Sequence, residues 1–337
     1  MELQENNADI SPADLLGAEI DGYRLVSVLG YGSYGVVFLA RHLLMDRCFA
    51  LKILQAEFAE NSDAVKEFFH ESKMAAKLEH PNIVQAFKAG KTADGVCYFV
   101  MEYVDGCSIE DIRVNSPELL SIAFLLEISI QLADALQYAW DRCGMTHRDI
   151  KPGNLLIRNA DRKLKLADLG LAATGTAAGD EIVATPLYMS PEVAGGKVTV
   201  AMTADIYSFG VMFYELSSGI PPFTGSVEEL HDAHLNKLPP PLLSVNPDLP
   251  AELASFIDSM LAKDPAARPQ NWQIVKKRFA QLKDAYFYHP PAAAAAPEIC
   301  CDGKEALQKK NPLPGYIILA AVLIVILLAL VIFVINL

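Results

Sequence analysis

Residues 146–154 read Thr146-His147-Arg148-Asp149-Ile150-Lys151-Pro152-Gly153-Asn154, between an apolar helix-like segment and an apolar strand-like run. The stretch brings together a carboxylate able to accept a proton (Asp149), a point positive charge (Lys151) and an amide oxygen suited to a hard cation such as Mg²⁺ (Asn154). Alone, it is equally compatible with a polar surface turn closed by Pro152. The reading shifts because Asp168-Leu169-Gly170 follows 14 residues after Asn154, just past the strand-like Leu164-Lys165-Leu166. A second carboxylate at a strand end, beside a flexible glycine, is where a second metal ligand belongs. Two oxygen ligands and a base are the equipment of phosphoryl transfer.

Toward the N-terminus, Tyr23 to Ala40 reads as two β-runs joined by a glycine-rich turn. Gly30, Gly32 and Gly35 form G-x-G-x-x-G, which lets backbone N–H groups approach phosphate oxygens. In a dinucleotide-binding domain a helix follows the last glycine at once. Here Val36-Val37-Phe38-Leu39 follows, so the loop reads as a hairpin flap, which disfavours a Rossmann fold. Next, Lys52 stands alone in the apolar strand Phe49-Ala50-Leu51-Lys52-Ile53-Leu54. Buried, its charge is costly unless it meets an anion; taken singly it reads equally as the outward residue of an alternating strand.

The segment Asp63 to Leu78 carries Val65, Phe68, Phe69 and Met74 near helical spacing. Glu71 within it is a candidate to neutralise Lys52, although a helical Glu is more often simply solvated. His80-Pro81-Asn82 ends this helix. Strand-like runs resume at Ile83–Ala86 and Tyr98–Met101, and Glu102 to Gly106 reads as a connector into a mainly helical half.

Toward the C-terminus, Leu119 to Ala139 has the pattern of a core helix feeding the 146–154 stretch. Past Gly170, residues 171–184 are small and polar, include Thr174 and Thr176 but no basic residue, and have loop composition. Thr185-Pro186-Leu187-Tyr188-Met189-Ser190-Pro191-Glu192 closes that loop, and Ala204-Asp205-Ile206-Tyr207-Ser208-Phe209-Gly210 opens another apolar helix. The helical remainder carries Asp264-Pro265-Ala266-Ala267-Arg268-Pro269 and ends near Ala285. The expected fold class is α+β and bilobal, with a β-rich first lobe bearing one helix and an α-rich second lobe.

Composition narrows the function. A chain of 337 residues is long enough for two lobes with a substantial core. A formal net charge of −13 argues against a nucleic-acid partner, since no basic stripe is available to neutralise phosphates. None of the six cysteines falls in a C-x-x-C pair, which argues against a zinc site.

The ordered set of G-x-G-x-x-G with Val37, A-L-K at Lys52, a helical Glu71, H-R-D-I-K-P-G-N, D-L-G, S-P-E and D-I-Y-S-F-G resembles the eukaryotic-type (Hanks-type) Ser/Thr protein kinases of bacterial style. The resemblance implies ATP and Mg²⁺ as cofactors and assigns roles. The Gly30–Gly35 flap covers the phosphates; Lys52 holds them and pairs with Glu71. Asp149 takes or orients the acceptor hydroxyl proton, Lys151 steadies the moving phosphate, and Asn154 and Asp168 hold Mg²⁺. Leu29, Val37, Ala50 and Leu156 sandwich the adenine, Glu102 and Val104 offer backbone groups to its edge, and Met101 controls the depth of the pocket. Thr185 contacts Asp149 and Lys151, and Glu192 pairs with Arg268. Leu169 departs from the Phe common in the family but keeps its apolar character. Arg148 before the base implies a loop ordered by phosphate on Thr174 or Thr176, acquired from a second copy of the chain.

Ile317 to Ile335 is an uncharged run of 19 residues. At about 1.5 Å per residue, it matches a bilayer core of about 30 Å. With Lys309 and Lys310 on its near side and only Asn336-Leu337 beyond, it reads as a tail anchor with a cytoplasmic catalytic domain and no sensor domain across the membrane. The N-terminus lacks the pattern of a signal peptide. The organisation expected is a flexible acidic N-terminus (1–22), a kinase domain (23–285), a Pro/Ala-rich linker (286–316) and a transmembrane helix (317–335), in a bacterial inner membrane. Protein substrates with Ser or Thr acceptors and the lipid bilayer are the expected partners. The competing class is a membrane-anchored pseudokinase scaffold; a kinase of small molecules is a weaker third reading.

Overall fold

The computed structural model describes residues 12–32, 34–168, 173–174, 185–196 and 201–287. Thr176, the linker and the apolar run at 317–335 lie outside the described residues. The chain begins with β1 (Glu19–Ile20), β2 (Tyr23–Tyr31), β3 (Gly35–His42), β4 (Arg47–Leu54), α1 (Ser62–Ala75), β5 (Ala86–Lys91) and β6 (Cys97–Glu102). The strands form one antiparallel sheet in the order β1-β2-β3-β4-β6-β5. Side chains alternate across it. One face buries Val36, Phe38, Ala40, Leu51, Ile53 and Val100, and the other receives Phe68 and Met74 of α1 against Leu54 and Phe99.

Asn61 caps α1 by accepting from the N–H groups of Asp63 and Ala64 at 3.0 and 3.1 Å. The helix stops at Ala75, short of the expected Leu78, and Leu78 is buried through a single further turn. The strand expected at Ile83–Ala86 is also corrected, since only Ala86 joins β5. The buried Asn82 amide donates to Gln131 Oε1 at 2.9 Å and to the Leu164 carbonyl at 2.8 Å. That tie draws Ile83 and Val84 beside Leu166 and away from the sheet.

The second lobe runs through β7 (Gly106–Ser108), α2 (Ile109–Asn115), α3 (Ile122–Cys143), β8 (Met145–Thr146), β9 (Leu155–Arg158), β10 (Leu164–Leu166), β11 (Ala173–Thr174), α4 (Pro191–Ala194), α5 (Met202–Ser218), α6 (Val227–Asn236), α7 (Leu242–Val245), α8 (Ala251–Met260) and α9 (Trp272–Phe287). The expected core helix is α3, beginning at Ile122 because Ser121 caps it and Pro117–Leu119 forms a separate 3-10 turn. Gly144 at φ +61° ends it in the left-handed conformation that glycine adopts without a Cβ penalty. Among the described residues α3 is the one helix long and apolar enough to cross a bilayer. Its Leu125, Leu126, Leu132 and Leu136 are buried, and Asp134 meets Lys276 of α9 at 2.5 Å, so it serves as a core helix. Helix α5 is buried from Asp205 to Ser217, with Phe209 edge-on to Trp272 and Phe213 stacked on Phe279.

Candidate active site

The loop between β8 and β9 is where the quoted stretch falls. Asp149 is buried and surrounded by donors. Lys151 Nζ lies 2.7 Å from its Oδ2, Thr185 Oγ1 donates to its Oδ1 at 2.7 Å, and Asn154 Nδ2 donates to its Oδ2 at 3.0 Å and to its carbonyl at 2.8 Å. Lys151 also reaches Thr185 Oγ1 at 3.1 Å, closing the ring of contacts. Burial alone raises the pKa of Asp149, but the hydrogen bonds from Lys151 and Thr185 outweigh it and hold the carboxyl below its usual range. Asp149 is therefore an anion at neutral pH. The stability this lends is complete above the unfolded-state value and is lost only as pH falls through the lower folded one. Because Asn154 donates with Nδ2, its amide oxygen is the atom left for a cation.

On the sheet side, Lys52 and Glu71 are both buried and meet at 2.6 Å, and Lys52 lies 3.9 Å from Asp168 Oδ1. Burial disfavours the ammonium, and the two carboxylates more than offset this, so the pKa of Lys52 rises. Asp168 sits at φ +57°, an αL backbone that non-glycine residues rarely adopt. The turn is held by Ala167, whose N–H donates to the Asn154 carbonyl at 2.9 Å. The buried His147 donates from Nε2 to the Ala167 carbonyl at 3.3 Å and accepts from the Asp149 N–H at Nδ1, also at 3.3 Å. The metal-ligand candidates and the candidate base are thus tied into one unit.

Register explains the nucleotide-wall candidates. Val37 pairs with Lys52 and Gly30, and Ala50 with Met101, so Val37, Ala50, Lys52 and Met101 share a face. Leu29 is the extra residue of a β-bulge between Val28 and Gly30, which re-aims the strand just before the flap. Leu156 pairs with Lys165. One expectation needs narrowing. The Glu102 N–H is committed to the Gln85 carbonyl at 2.8 Å, so it is not available to a nucleotide edge. The Glu102 carboxylate accepts from Lys165 at 2.7 Å and from the Gln85 N–H at 3.2 Å, joining β10 to the connector.

Glycine is required at one flap position. A Cβ on Gly35 would stand 2.5 Å from the Ile53 carbonyl oxygen, whereas one on Gly32 would make only an ordinary 3.4 Å contact with the Lys52 side chain. Gly35→Ala is expected to cost about 1–3 kcal/mol through this clash, read as a lower midpoint of thermal unfolding; an unchanged midpoint would show that the flap relaxes freely.

Three residues that carry the geometry went unassigned in the sequence. Asp205, buried at the start of α5, accepts from the His147 N–H at 2.7 Å and the Arg148 N–H at 2.9 Å. It thereby holds Arg148 at φ +67°. Tyr188 donates to the buried Glu215 at 2.6 Å, and Lys165 braces Glu102 as above. The available signal was a charged residue inside an otherwise apolar element, at Asp205 and at Glu215 of the same helix.

The donor set fits Mg-ATP. Among the described residues no three His, Cys, Asp or Glu side chains cluster as a resident metal cage. Asn154 and Asp168 would supply two oxygens, as suits Mg²⁺ bound together with substrate phosphates. Lys52 lies beneath the glycine turn, next to Gly32.

A β-rich lobe with one helix and a helical lobe, with a buried Lys–Glu pair beside an Asp whose turn is tied to the Asp149–Asn154 loop, is a protein kinase architecture. The chain belongs to the protein kinase domain family, which residues 23–280 match. It is 33% identical to the serine/threonine-protein kinase PrkC of Bacillus subtilis over 279 residues, 81% of this chain and 42% of that protein. It is 34% identical to PknB of Mycobacterium tuberculosis over 260 residues, 74% of this chain and 41% of that protein. The chain thus spans less than half the length of these curated relatives. The crystal structure of the Mycobacterium tuberculosis PknI kinase domain superposes with a TM-score of 0.62 at 29% identity, covering 79% of this chain and 98% of that domain.

Proposed function

We propose that the chain is an active Mg-ATP-dependent Ser/Thr protein kinase that also phosphorylates itself. The observation that carries this reading is the Asp149 carboxylate, kept ionised by Lys151 and Thr185 and linked through Asn154 and Ala167 to the Lys52–Asp168 set. Bound Mg-ATP supplies the phosphoryl group and neutralises its charge. Lys52 holds phosphate oxygens, and Asn154 and Asp168 hold the cation. As the acceptor hydroxyl oxygen bonds to the γ-phosphorus, Asp149 takes its proton, the bond to the bridging oxygen breaks, and ADP leaves with the electron pair. Lys151 stabilises the charge on the transferring group. The scaffold reading is disfavoured because Lys52, Asp149, Asn154 and Asp168 are all present and arranged as a set.

The self-phosphorylation sites we propose are Thr174, whose backbone pairs with Met145, and Thr176. We further propose the organisation 23–285 kinase domain, 286–316 linker and 317–335 membrane anchor, supported by the length and uncharged composition of Ile317–Ile335 and by the bacterial relatives. The test is transfer of labelled phosphate from Mg-ATP by the full chain in lipid vesicles, followed by site mapping. Label on Thr174 or Thr176 is expected. No label on any protein while nucleotide still binds would return the scaffold reading. Extraction of the full chain from membranes by carbonate would sink the anchor.

A further inference from the structure

His234, on α6, belongs to none of the machinery above, yet it is fully buried. Its Nε2 lies 3.1 Å from the Leu187 carbonyl and its Nδ1 3.0 Å from the Tyr207 hydroxyl. A carbonyl can only accept, so Nε2 carries the proton and Nδ1 accepts from Tyr207. Lys263 donates to the Tyr207 oxygen at 3.4 Å, and it caps α6 through the carbonyls of Ala233 at 3.0 Å and His234 at 2.7 Å. The bonds therefore run in one direction, from Lys263 to Tyr207 to His234 to Leu187.

Burial, aided by the nearby Lys263 charge, pushes the His234 pKa down to about 4, and burial pushes Tyr207 up. Neither group changes charge near neutrality. Phe223 holds the imidazole edge-on at 5.2 Å, and Leu187 packs on the Phe223–Leu230–Ala233 cluster.

Leu187 stands two residues past Thr185, which bonds to Asp149. The same segment is held at Tyr188 by Glu215 and at Glu192 by Arg268. The Leu187 carbonyl is the point where α6 grips its main chain. We propose that His234 is a positioning residue for the acceptor polypeptide. By pinning the Leu187 backbone it makes residues 185–189 present one fixed surface to the chain whose hydroxyl meets Asp149. The inference rests on the kinase reading. It assigns to the Lys263–Tyr207–His234 relay a task in substrate docking, separate from nucleotide binding and proton transfer.

The test uses the full chain with Mg-ATP and casein as acceptor, together with hydrogen–deuterium exchange. His234→Leu removes both ring bonds. It is expected to raise KM for casein about tenfold, the equivalent of about 1.4 kcal/mol, with kcat and KM for ATP within about twofold. Amide exchange over residues 185–192 should quicken by a similar factor while α8 and α9 exchange as before. His234→Gln keeps a donor for Leu187 and an acceptor for Tyr207, and should restore most of both readouts. An unchanged casein KM with unchanged exchange overturns the proposal. So does a uniform loss of kcat and ATP affinity with faster exchange throughout the lobe, since that marks a purely structural residue. If the wild-type chain transfers no phosphate, the kinase reading falls, and the exchange comparison alone decides whether His234 holds the segment.

Discussion

Replacing Asp149 by Asn is expected to lower phosphate transfer about 10³-fold while leaving the fold and nucleotide affinity nearly intact. Asn is the same size as Asp, and its side-chain oxygen can still accept from Lys151 or Thr185, so the contacts that shape the loop largely persist. What disappears is an anion able to take a proton, worth roughly 10²–10⁴ in rate for a positioned base. The depressed pKa of Asp149 means the wild-type group is already ionised at neutral pH, so raising the pH above neutrality will not rescue the variant. Turnover on casein and calorimetric ATP affinity read the two halves of the expectation. A variant within tenfold of wild type would remove Asp149 from the proton-transfer role; a collapse of ATP binding as well would make it a structural residue.

The largest effect on stability is expected at Arg268. Its guanidinium is fully buried and all five N–H groups are used. Nε donates to the Ala262 carbonyl at 2.7 Å, one terminal nitrogen to Glu192 Oε1 and the Thr203 carbonyl, both at 2.8 Å, and the other to Glu192 Oε2 at 2.9 Å and the Lys263 carbonyl at 3.1 Å. The Tyr207 ring also lies 4.9 Å beneath it. Arg268→Leu strands the nearly buried Glu192 carboxylate and three carbonyls, at a cost of about 3–5 kcal/mol. In a domain of this size that is roughly 10 °C of the unfolding midpoint. Arg268→Lys should recover little, because three donors on a point charge cannot reproduce a five-donor planar fork. Removing both charges in Glu192→Leu/Arg268→Leu should recover part of the loss, since an unpaired buried carboxylate is the costliest remnant. Equal midpoints for wild type and Arg268→Leu would show that the pair is solvated in solution.

Much of the fold was legible because its signals are local. The flap was readable from Gly30, Gly32 and Gly35 followed by β-branched residues, and α3 from a long apolar period. Where the reading missed, a contact between distant residues overrode local pattern. Ile83 and Val84 look like strand but are drawn beside Leu166 by the Asn82 amide. Glu102, expected to offer backbone groups, has its N–H taken by Gln85 and its carboxylate by Lys165. The candidate site was legible as residue types in order, and its roles came with the family resemblance. Asp205, Tyr188 and His234 were not assigned, because a single Asp, Tyr or His has no periodicity to betray it.

The sequence by itself determined the order of the elements, the two-lobe division and the presence of a candidate base, a lysine and two candidate cation ligands, since propensity, period and glycine sterics depend on neighbouring residues. Only the tertiary structure decided who meets whom. Lys52 finds Glu71 across 19 residues, Asp149 finds Thr185 across 36, His147 finds Asp205 across 58 and Arg268 finds Glu192 across 76. Such pairs form only once burial has removed water as the competing partner, and that condition is set by the packed fold and by no local stretch of chain.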